Sequence, residues 1–268
     1  MIYIVIAVIC SVVVSINFKL FKRYDTNAYQ AIVFNYPTAA FLCYFGFKPD
    51  FSVRPMLQEW LLFALVAALL LSIFYFIGKS ISTSGIVLTA IAQRLSLVIP
   101  VLSAFLIFSE TATNFKLLGL VIGVVALYAS KPNVKTSLAK KVNWYPIVVF
   151  LGTGVLDVLF NFLTKLPQIG FTVSLVYIFV IASFFGFASL FYQYQKGILK
   201  FQVKAALAGV VLGIFNFGSI YFYVKALKLE SQRPSVVFSS LDIGVIFLGS
   251  LVGIVLFKEK LTNLNIIG

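Results

Sequence analysis

Long apolar runs recur from one end of this chain to the other, and they limit its fold more than any other feature. Each run is about 17–25 residues long, which lets a helix cross a hydrocarbon layer about 30 Å thick. Nine runs cover 2–18, 28–46, 58–78, 85–108, 114–130, 144–163, 172–195, 203–224 and 234–257. Because a chain in lipid must satisfy its own backbone hydrogen bonds, only helices or a closed barrel can cross. Barrel strands alternate in polarity and these runs do not, so the sequence predicts an all-α polytopic membrane protein.

Composition and charge placement indicate the surroundings of the chain. With 61% hydrophobic and 11% charged residues, it has too much apolar surface for a soluble core. The net charge of +13 comes mainly from Lys and Arg in short loops between the runs, where lipid headgroups lie. A nucleic-acid-binding protein would carry a clustered basic patch on a soluble surface. We therefore expect a lipid bilayer, in the plasma or inner membrane, and no nucleic-acid partner.

A duplicated segment divides the chain into two related halves. The sequence FSETATNFKLLG at 108–119 recurs as FKEKLTNLNIIG at 257–268, which is 149 residues further on. Near the start of each half the offset is 144, and Asn17 there matches Asn161. The predicted organisation is a first repeat of five spans (1–130), a basic linker (131–142) and a second repeat (143–268) with spans six to nine and the start of a tenth. The rest of the tenth helix is expected to be missing from this sequence. An odd number of spans per repeat predicts two repeats of opposite orientation in the membrane.

The residues from Ser80 to Ala129, and again from Leu227 to Gly268, resemble the second part of an EamA repeat of the drug/metabolite transporter superfamily. The shared pattern is a helix rich in small residues, a turn containing Glu, and a helix with a Gly near its start. The resemblance implies ten helices, a central cavity between the repeats, and export or uptake of small metabolites such as amino acids. It also implies cytoplasmic termini, whereas the loops after odd-numbered spans carry more Lys and Arg, which the positive-inside rule assigns to the cytoplasm. The sequence leaves the membrane orientation open.

Three charged residues, Arg94, Asp157 and Asp242, lie well inside predicted spans. A charge at the centre of a spanning helix costs about 2.5–3.5 kcal/mol on insertion scales, so each needs a partner or a wet cavity. One interpretation is an ion pair between Arg94 and either aspartate that ties helices together. The other is a cavity that contacts solute or protons. The residues chosen as candidates for a solute cavity are Asn17, Gln93, Arg94, Asp157, Asn161, Asn216, Tyr223 and Asp242.

Small and polar residues also repeat at helical spacing within four spans. In lipid such a stripe is either a helix-packing seam or a cavity wall. We expect packing alone for the GxxxG pairs Gly119/Gly123, Gly209/Gly213 and Gly249/Gly253, and cavity walls where a stripe carries Asp, Asn or Gln. Pro100 frees a backbone carbonyl in the fourth span and is predicted to kink it.

Several function classes are excluded by what the sequence lacks. The chain has no His and no GxxxxGK[ST] phosphate-binding loop, so it predicts neither an enzyme nor a nucleotide-driven pump. No cofactor and no metal site are expected. The favoured function is a secondary transporter that moves a small metabolite, with a weak preference for export of an amino-acid-like solute, and with protons as a candidate coupling ion. The alternative is a membrane scaffold or channel-like subunit without active transport.

Overall fold

The fold is a bundle of helices. The computed structural model describes residues 2–96, 98–99, 102–103, 143–164, 166, 168–229 and 234–258. Within these residues the chain forms eight helices and no strand. In chain order they are α1 (Ile2–Arg23), α2 (Ala28–Phe47), α3 (Leu57–Ser84), α4 (Ile86–Leu95), α5 (Tyr145–Thr164), α6 (Phe171–Gln195), α7 (Val203–Leu229) and α8 (Pro234–Val255).

Seven of the nine predicted spans coincide with these helices. The fourth, 85–108, coincides with α4 as far as residue 95 and lies partly outside the described residues, and the fifth, 114–130, lies wholly outside them. The predicted ends differ most where basic residues follow an apolar run. Helix α1 continues to Arg23 rather than ending near residue 18, and α3 continues to Ser84 rather than residue 78. Hydropathy marks only the part of a helix that lies in hydrocarbon, whereas lysines and arginines continue the helix into the headgroup layer.

The protein is membrane-embedded. Among the described residues, α1, α3, α5, α6 and Val203–Ala226 of α7 are each long and apolar enough to cross a bilayer. Shorter apolar stretches lie in α4 and α8. Large apolar side chains face outward, including Phe184 and Phe247, each 70% exposed. Such exposure is expected where lipid and not water covers the surface.

Local capping determines where two of the helices begin. Asn27 precedes α2, and its side-chain oxygen accepts a hydrogen bond from the Gln30 amide at 3.0 Å. At the start of α3, the Glu59 carboxylate accepts a 2.6 Å hydrogen bond from the Met56 amide. Both caps satisfy backbone donors that a helix N-terminus leaves without partners.

The helix ends gather at two opposite ends of the bundle. At the first, Lys22 Nζ donates to the Ser82 carbonyl at 2.6 Å, and Asn143 donates to Ser84 at 2.6 Å. We call this the basic end. It carries, among described residues, Lys19, Lys22, Arg23, Lys79, Lys196, Lys200, Lys204 and Lys258.

At the opposite end, ring contacts replace most of the polar ones. Phe47 packs on Phe217 at a centroid distance of 5.7 Å, and Trp60 packs on Tyr177 at 5.0 Å. Helices α1, α3, α6 and α8 run from this end to the basic end, and α2, α4, α5 and α7 run the other way.

Packing between the two halves follows a regular pattern. Helix α1 packs against α7 and α8, and α5 packs against α3 and α4. Helix α2 packs against α6 and α7, and α6 also packs against α3. Helices α4 and α8 contact each other as well. Almost every described helix therefore has its most extensive contacts in the other half of the chain.

The backbones of α2 and α7, one helix from each half, come close together at Gly209 and Gly213. A Cβ atom on Gly209 would lie 2.5 Å from the Ala31 carbonyl oxygen, and one on Gly213 would lie 2.7 Å from the Asn35 carbonyl oxygen. Real Cβ contacts are not this short, so only glycine lets the two backbones meet here. The packing role predicted for this GxxxG pair is confirmed. Gly119 and Gly123 lie outside the described residues.

Adding a methyl group at this crossing is expected to destabilise the bundle. Gly209→Ala and Gly213→Ala push against backbone atoms that cannot move aside, so each should lower the free energy of unfolding by about 1–3 kcal/mol. Thermal unfolding in detergent measures the effect. The matched control is Gly249→Ala, because a Cβ there would lie 4.0 Å from Ile86, an ordinary contact. Equal midpoints for the three variants would contradict the close approach.

Candidate functional site

One intramembrane carboxylate contacts a neighbouring helix in the middle of the bundle. The Ser96 hydroxyl, just after α4, is fully buried and donates to the Gln93 carbonyl at 2.5 Å. Its Oγ also lies 3.5 Å from Asp157 Oδ2 on α5, which is a long second acceptor for the same hydrogen. The structure therefore brings Asp157 to the end of the helix that carries Gln93 and Arg94. These three candidate residues lie at one junction between the first and second halves.

Arg94 belongs to the same junction. It is the second-last residue of α4, its side chain is partly buried, and its Nε atom is fully buried. A guanidinium at this depth needs anionic or carbonyl groups around it. Because a guanidinium has five donors in a fixed fork, it suits a carboxylate of the protein or of a solute.

A second polar contact lies at the crossing of α2 and α7. Asn216 Nδ2 on α7 donates to Asn35 Oδ1 on α2 at 3.1 Å. Asn35 is fully buried, and its Nδ2 atom has no hydrogen-bond partner among the described residues. The adjacent Tyr36 hydroxyl is also buried without a partner there. An unsatisfied buried polar group costs about 1–3 kcal/mol, so these two donors near the centre of α2 carry a cost in stability.

Asn35 was not among the residues chosen from sequence. The available signal was a lone Asn in an apolar run, one residue before Tyr36 and two before Pro37, which lies inside α2. Helical spacing of polar residues indicated Asn216 on α7. No such spacing was present in α2, so the sequence did not indicate Asn35.

The remaining candidates lie in separate places. Tyr223, two turns after Asn216 on α7, packs against an apolar cluster between α1, α7 and α8. Between them on the same helix, Ser219 forms a 2.6 Å hydrogen bond with Ser11 on α1. Asn17 donates to the Val13 carbonyl of its own helix at 2.9 Å. Asn161 lies on α5, one turn beyond Asp157, and is half-buried.

Two candidates cannot be placed by their side chains. Asp242 lies within α8, but its side chain is outside the described part of the structure. Pro100 lies outside the described residues, so the predicted kink stays a prediction.

At the basic end, a network of amide side chains joins the α1–α2 connection to the α6–α7 connection. Gln30 is 1% exposed, and its Nε2 donates to the Lys200 carbonyl at 2.7 Å. Its Oε1 accepts from the Gln202 amide at 2.9 Å, and Gln202 Oε1 accepts from the Asn27 amide at 3.0 Å. We call Asn27, Gln30, Lys200 and Gln202 the amide clasp. It links the two halves by three hydrogen bonds, two of them to a buried glutamine.

A cleft of about 360 Å³ lies at the opposite end, where the start of α3 faces the α5–α6 connection. It is lined by Met56, Gln58, Glu59, Leu62, Leu166 and Gln168. In the nearby α2–α3 connection, hydrogen bonds from the side chain and backbone of Ser52 lower the pKa of Asp50. Asp50 and Glu59 make this end less basic than the other.

These sites can bind a polar solute through hydrogen bonds and charge. Within the described part of the chain, no group of three or more Cys, Asp or Glu side chains is placed to hold a metal ion. The sites offer amides, hydroxyls, one guanidinium and a carboxylate, which suit a small solute with both donor and acceptor groups.

The Asn35–Asn216 contact predicts coupling between two substitutions. Asn216→Leu leaves the buried Asn35 amide without its partner, and should cost about 1–3 kcal/mol in unfolding free energy. The double variant with Asn35→Leu should cost less than the sum, with a coupling of about 0.6–1.7 kcal/mol in a double-mutant cycle. The cycle of Asn17→Leu with Asn35→Leu is the control, because the Asn17 amide bonds to its own helix. Additive effects in both cycles would argue against the contact.

Comparison with known proteins finds a relative that matches nearly the whole chain. No family model matches the chain. An uncharacterized protein of Haemophilus influenzae (strain ATCC 51907 / DSM 11121 / KW20 / Rd) is 34% identical over 276 residues, covering 98% of this chain and 92% of the relative. Identity at this level over nearly the whole length means that both chains share one fold and one descent, so this chain belongs to the same protein family as the Haemophilus influenzae protein.

Proposed function

We propose that this protein is a multi-pass secondary transporter of the cell membrane, which moves a small metabolite by alternating access between two inverted repeats. We further propose that it is an EamA-type member of the drug/metabolite transporter superfamily. In this proposal ten helices form two five-helix repeats, 1–130 and 143–268, joined by the linker 131–142.

The main support for the proposal is that the contacts between helices stay the same when the two halves of the chain are exchanged. If α1, α2, α3 and α4 are equivalent to α5, α6, α7 and α8, then exchanging equivalents turns α1–α7 into α5–α3. The same exchange turns α1–α8 into α5–α4, and α2–α7 into α6–α3. All of these pairs pack together. The contacts α2–α6 and α4–α8 map onto themselves, as contacts on a two-fold axis do.

Helix direction supports an inverted arrangement rather than a parallel one. Helix α1 runs towards the basic end, and its equivalent α5 runs away from it. The other three pairs are also opposed. A two-fold axis that reverses helix direction lies in the plane of the membrane, which is the symmetry of inverted-repeat transporters.

Polar groups near the middle of the bundle support a solute pathway. Asp157, Arg94 and the donors of Asn35 and Tyr36, which have no partner among the described residues, are costly to bury. Contact with a solute would offset this cost. Arg94 suits a carboxylate and an aspartate suits an amine, so an amino-acid-like solute fits both. Anionic phosphates usually need several cations, and Arg94 is the one basic residue well inside a predicted span.

The energy source follows from what the sequence contains. Without a nucleotide-binding loop, transport must use an ion or proton gradient, or exchange of one solute for another. An enzyme is a poor fit, because the chain has no His and few intramembrane carboxylates.

A transport screen tests the proposal. The purified protein is reconstituted into proteoliposomes, and uptake and efflux are measured with a mixture of labelled amino acids and other small metabolites. We expect saturable flux of at least one solute, lowered about tenfold or more by Arg94→Gln because a buried charge contact is lost. Arg54→Gln, in the exposed α2–α3 connection, should leave flux unchanged. Stable incorporation with no flux of any solute would favour the membrane scaffold instead.

Proton coupling gives a separate prediction. If protons drive transport, Asp157 and Asp242 are the carboxylates inside spans that can carry them, because the chain has no His. Asp157→Asn or Asp242→Asn should then abolish the response to a pH gradient while solute exchange continues. Asp50→Asn is the control, since this exposed carboxylate lies outside the spans. A full pH response in both span variants would exclude coupling through these carboxylates.

A further inference from the structure

The two ends of the bundle are built from equivalent helices but differ in how they are joined. In the repeat correspondence proposed above, the pairing of α2 with α7 at the basic end is equivalent to the pairing of α6 with α3 at the opposite end. The basic end is joined there by the amide clasp. The opposite end has the cleft of about 360 Å³ at the corresponding place.

The correspondence can be followed residue by residue from the helix starts. Helix α7 begins at Val203 and α3 at Leu57, so Lys204 of the basic end corresponds to Gln58 of the cleft. Helix α6 begins at Phe171 and α2 at Ala28, so Asp25 corresponds to Gln168. Lys204 Nζ reaches across to the Tyr24 carbonyl at 3.0 Å, whereas Gln58 and Gln168 are exposed on the walls of the cleft.

Burial differs at one of two corresponding positions. Ala205 in the first turn of α7 is fully buried, whereas Glu59, in the same place of α3, is only partly buried. Gln30 and its equivalent Val173 in α6 are both buried. Backbone packing agrees, since α2 and α7 approach through Gly209 and Gly213, and α2 contacts α7 more extensively than α6 contacts α3.

We propose that the amide clasp is the closed gate of this transporter, and that the cleft lined by Gln58, Glu59, Leu62 and Gln168 is the open entrance on the other side, where a small solute with hydrogen-bonding groups first binds. This inference rests on the proposed transport function, and it identifies the two gates of the transport pathway. When the clasp opens, α3 closes on the α5–α6 connection, and the cleft disappears.

The chemistry of both sites suits these roles. The clasp consists of neutral amide hydrogen bonds, each worth about 0.5–1.5 kcal/mol net, so the gate is held firmly yet can open. A cleft of this volume is within the range of small-molecule sites, about 300–1,000 Å³. The Gln58 and Gln168 amides offer both donors and acceptors, and Glu59 adds negative charge, which favours solutes that carry an amine.

Cysteine labelling from the two sides tests the two gates without any solute. The two native cysteines are buried, and they are replaced in a Cys10→Ala/Cys43→Ala background. Single cysteines are then introduced as Ala205→Cys at the clasp and Leu62→Cys in the cleft. We expect a maleimide that does not cross membranes to react with the Leu62→Cys protein from one side, and only slowly with the Ala205→Cys protein from the other.

Gln30→Ala removes two hydrogen bonds of the clasp and should shift the equilibrium about tenfold towards opening at the basic end. Labelling of the Ala205→Cys protein should then rise about tenfold, and labelling of the Leu62→Cys protein should fall. Gln193→Ala is the matched control, because the Gln193 amide bonds to Ser189 within its own helix at 3.3 Å. If Gln30→Ala does not fold, Gln202→Ala removes the Asn27 acceptor and serves in its place.

The outcomes separate the gate from the transport function. A rise at Ala205→Cys without a fall at Leu62→Cys would mean local fraying and would overturn the proposal, as would no change at either position. A disulfide between Asn27→Cys and Gln202→Cys should keep the cleft labelled and block flux. Reciprocal labelling without flux of any tested solute would keep the two gates and refute the proposed transport.

Discussion

The crossing of α2 and α7 is the contact on which the rest of the structure depends. Helices in lipid gain little from apolar burial alone, because lipid tails are as apolar as side chains. Close approach of backbones is therefore the main source of stability between them. Gly209 and Gly213 allow that approach, and the crossing joins the second helix of one half to the third helix of the other. Because the contact lies between the halves, it sets how all the other helices meet.

The polar groups inside the bundle lie in separate places rather than in one cluster. Asn35 and Asn216 meet at the crossing itself, and the amide clasp closes its basic end. Asp157 and Ser96 meet elsewhere, at the junction of α4 and α5. A single mutation in one of these places should therefore leave the others intact, which makes their roles separable by experiment.

The difference between the two ends is the feature that links structure to function. In the proposed repeat correspondence, equivalent helices meet closely at one end and leave a cleft at the other. A symmetric scaffold has no need of this difference, whereas alternating access requires that one side be closed while the other is open. The proposed closed gate consists of hydrogen bonds between short connections, which break at lower cost than a packed helix crossing.

The sequence alone determined the helical class and the position of most helices, because long apolar runs can satisfy their backbone in lipid in only one way. It also predicted the GxxxG packing of Gly209 and Gly213, but it assigned the same role to Gly249, where a Cβ atom would make only an ordinary contact. It could not identify Asn35 or Gln30, because their roles depend on hydrogen-bond partners from the other half of the chain. Nor could spacing separate Asn216, which bonds across a helix crossing, from Asp157, which lies at a different junction. Those distinctions depend on contacts between residues about 60 to 180 positions apart, and only the tertiary structure decides such contacts, because no periodicity along one helix specifies which helix lies opposite.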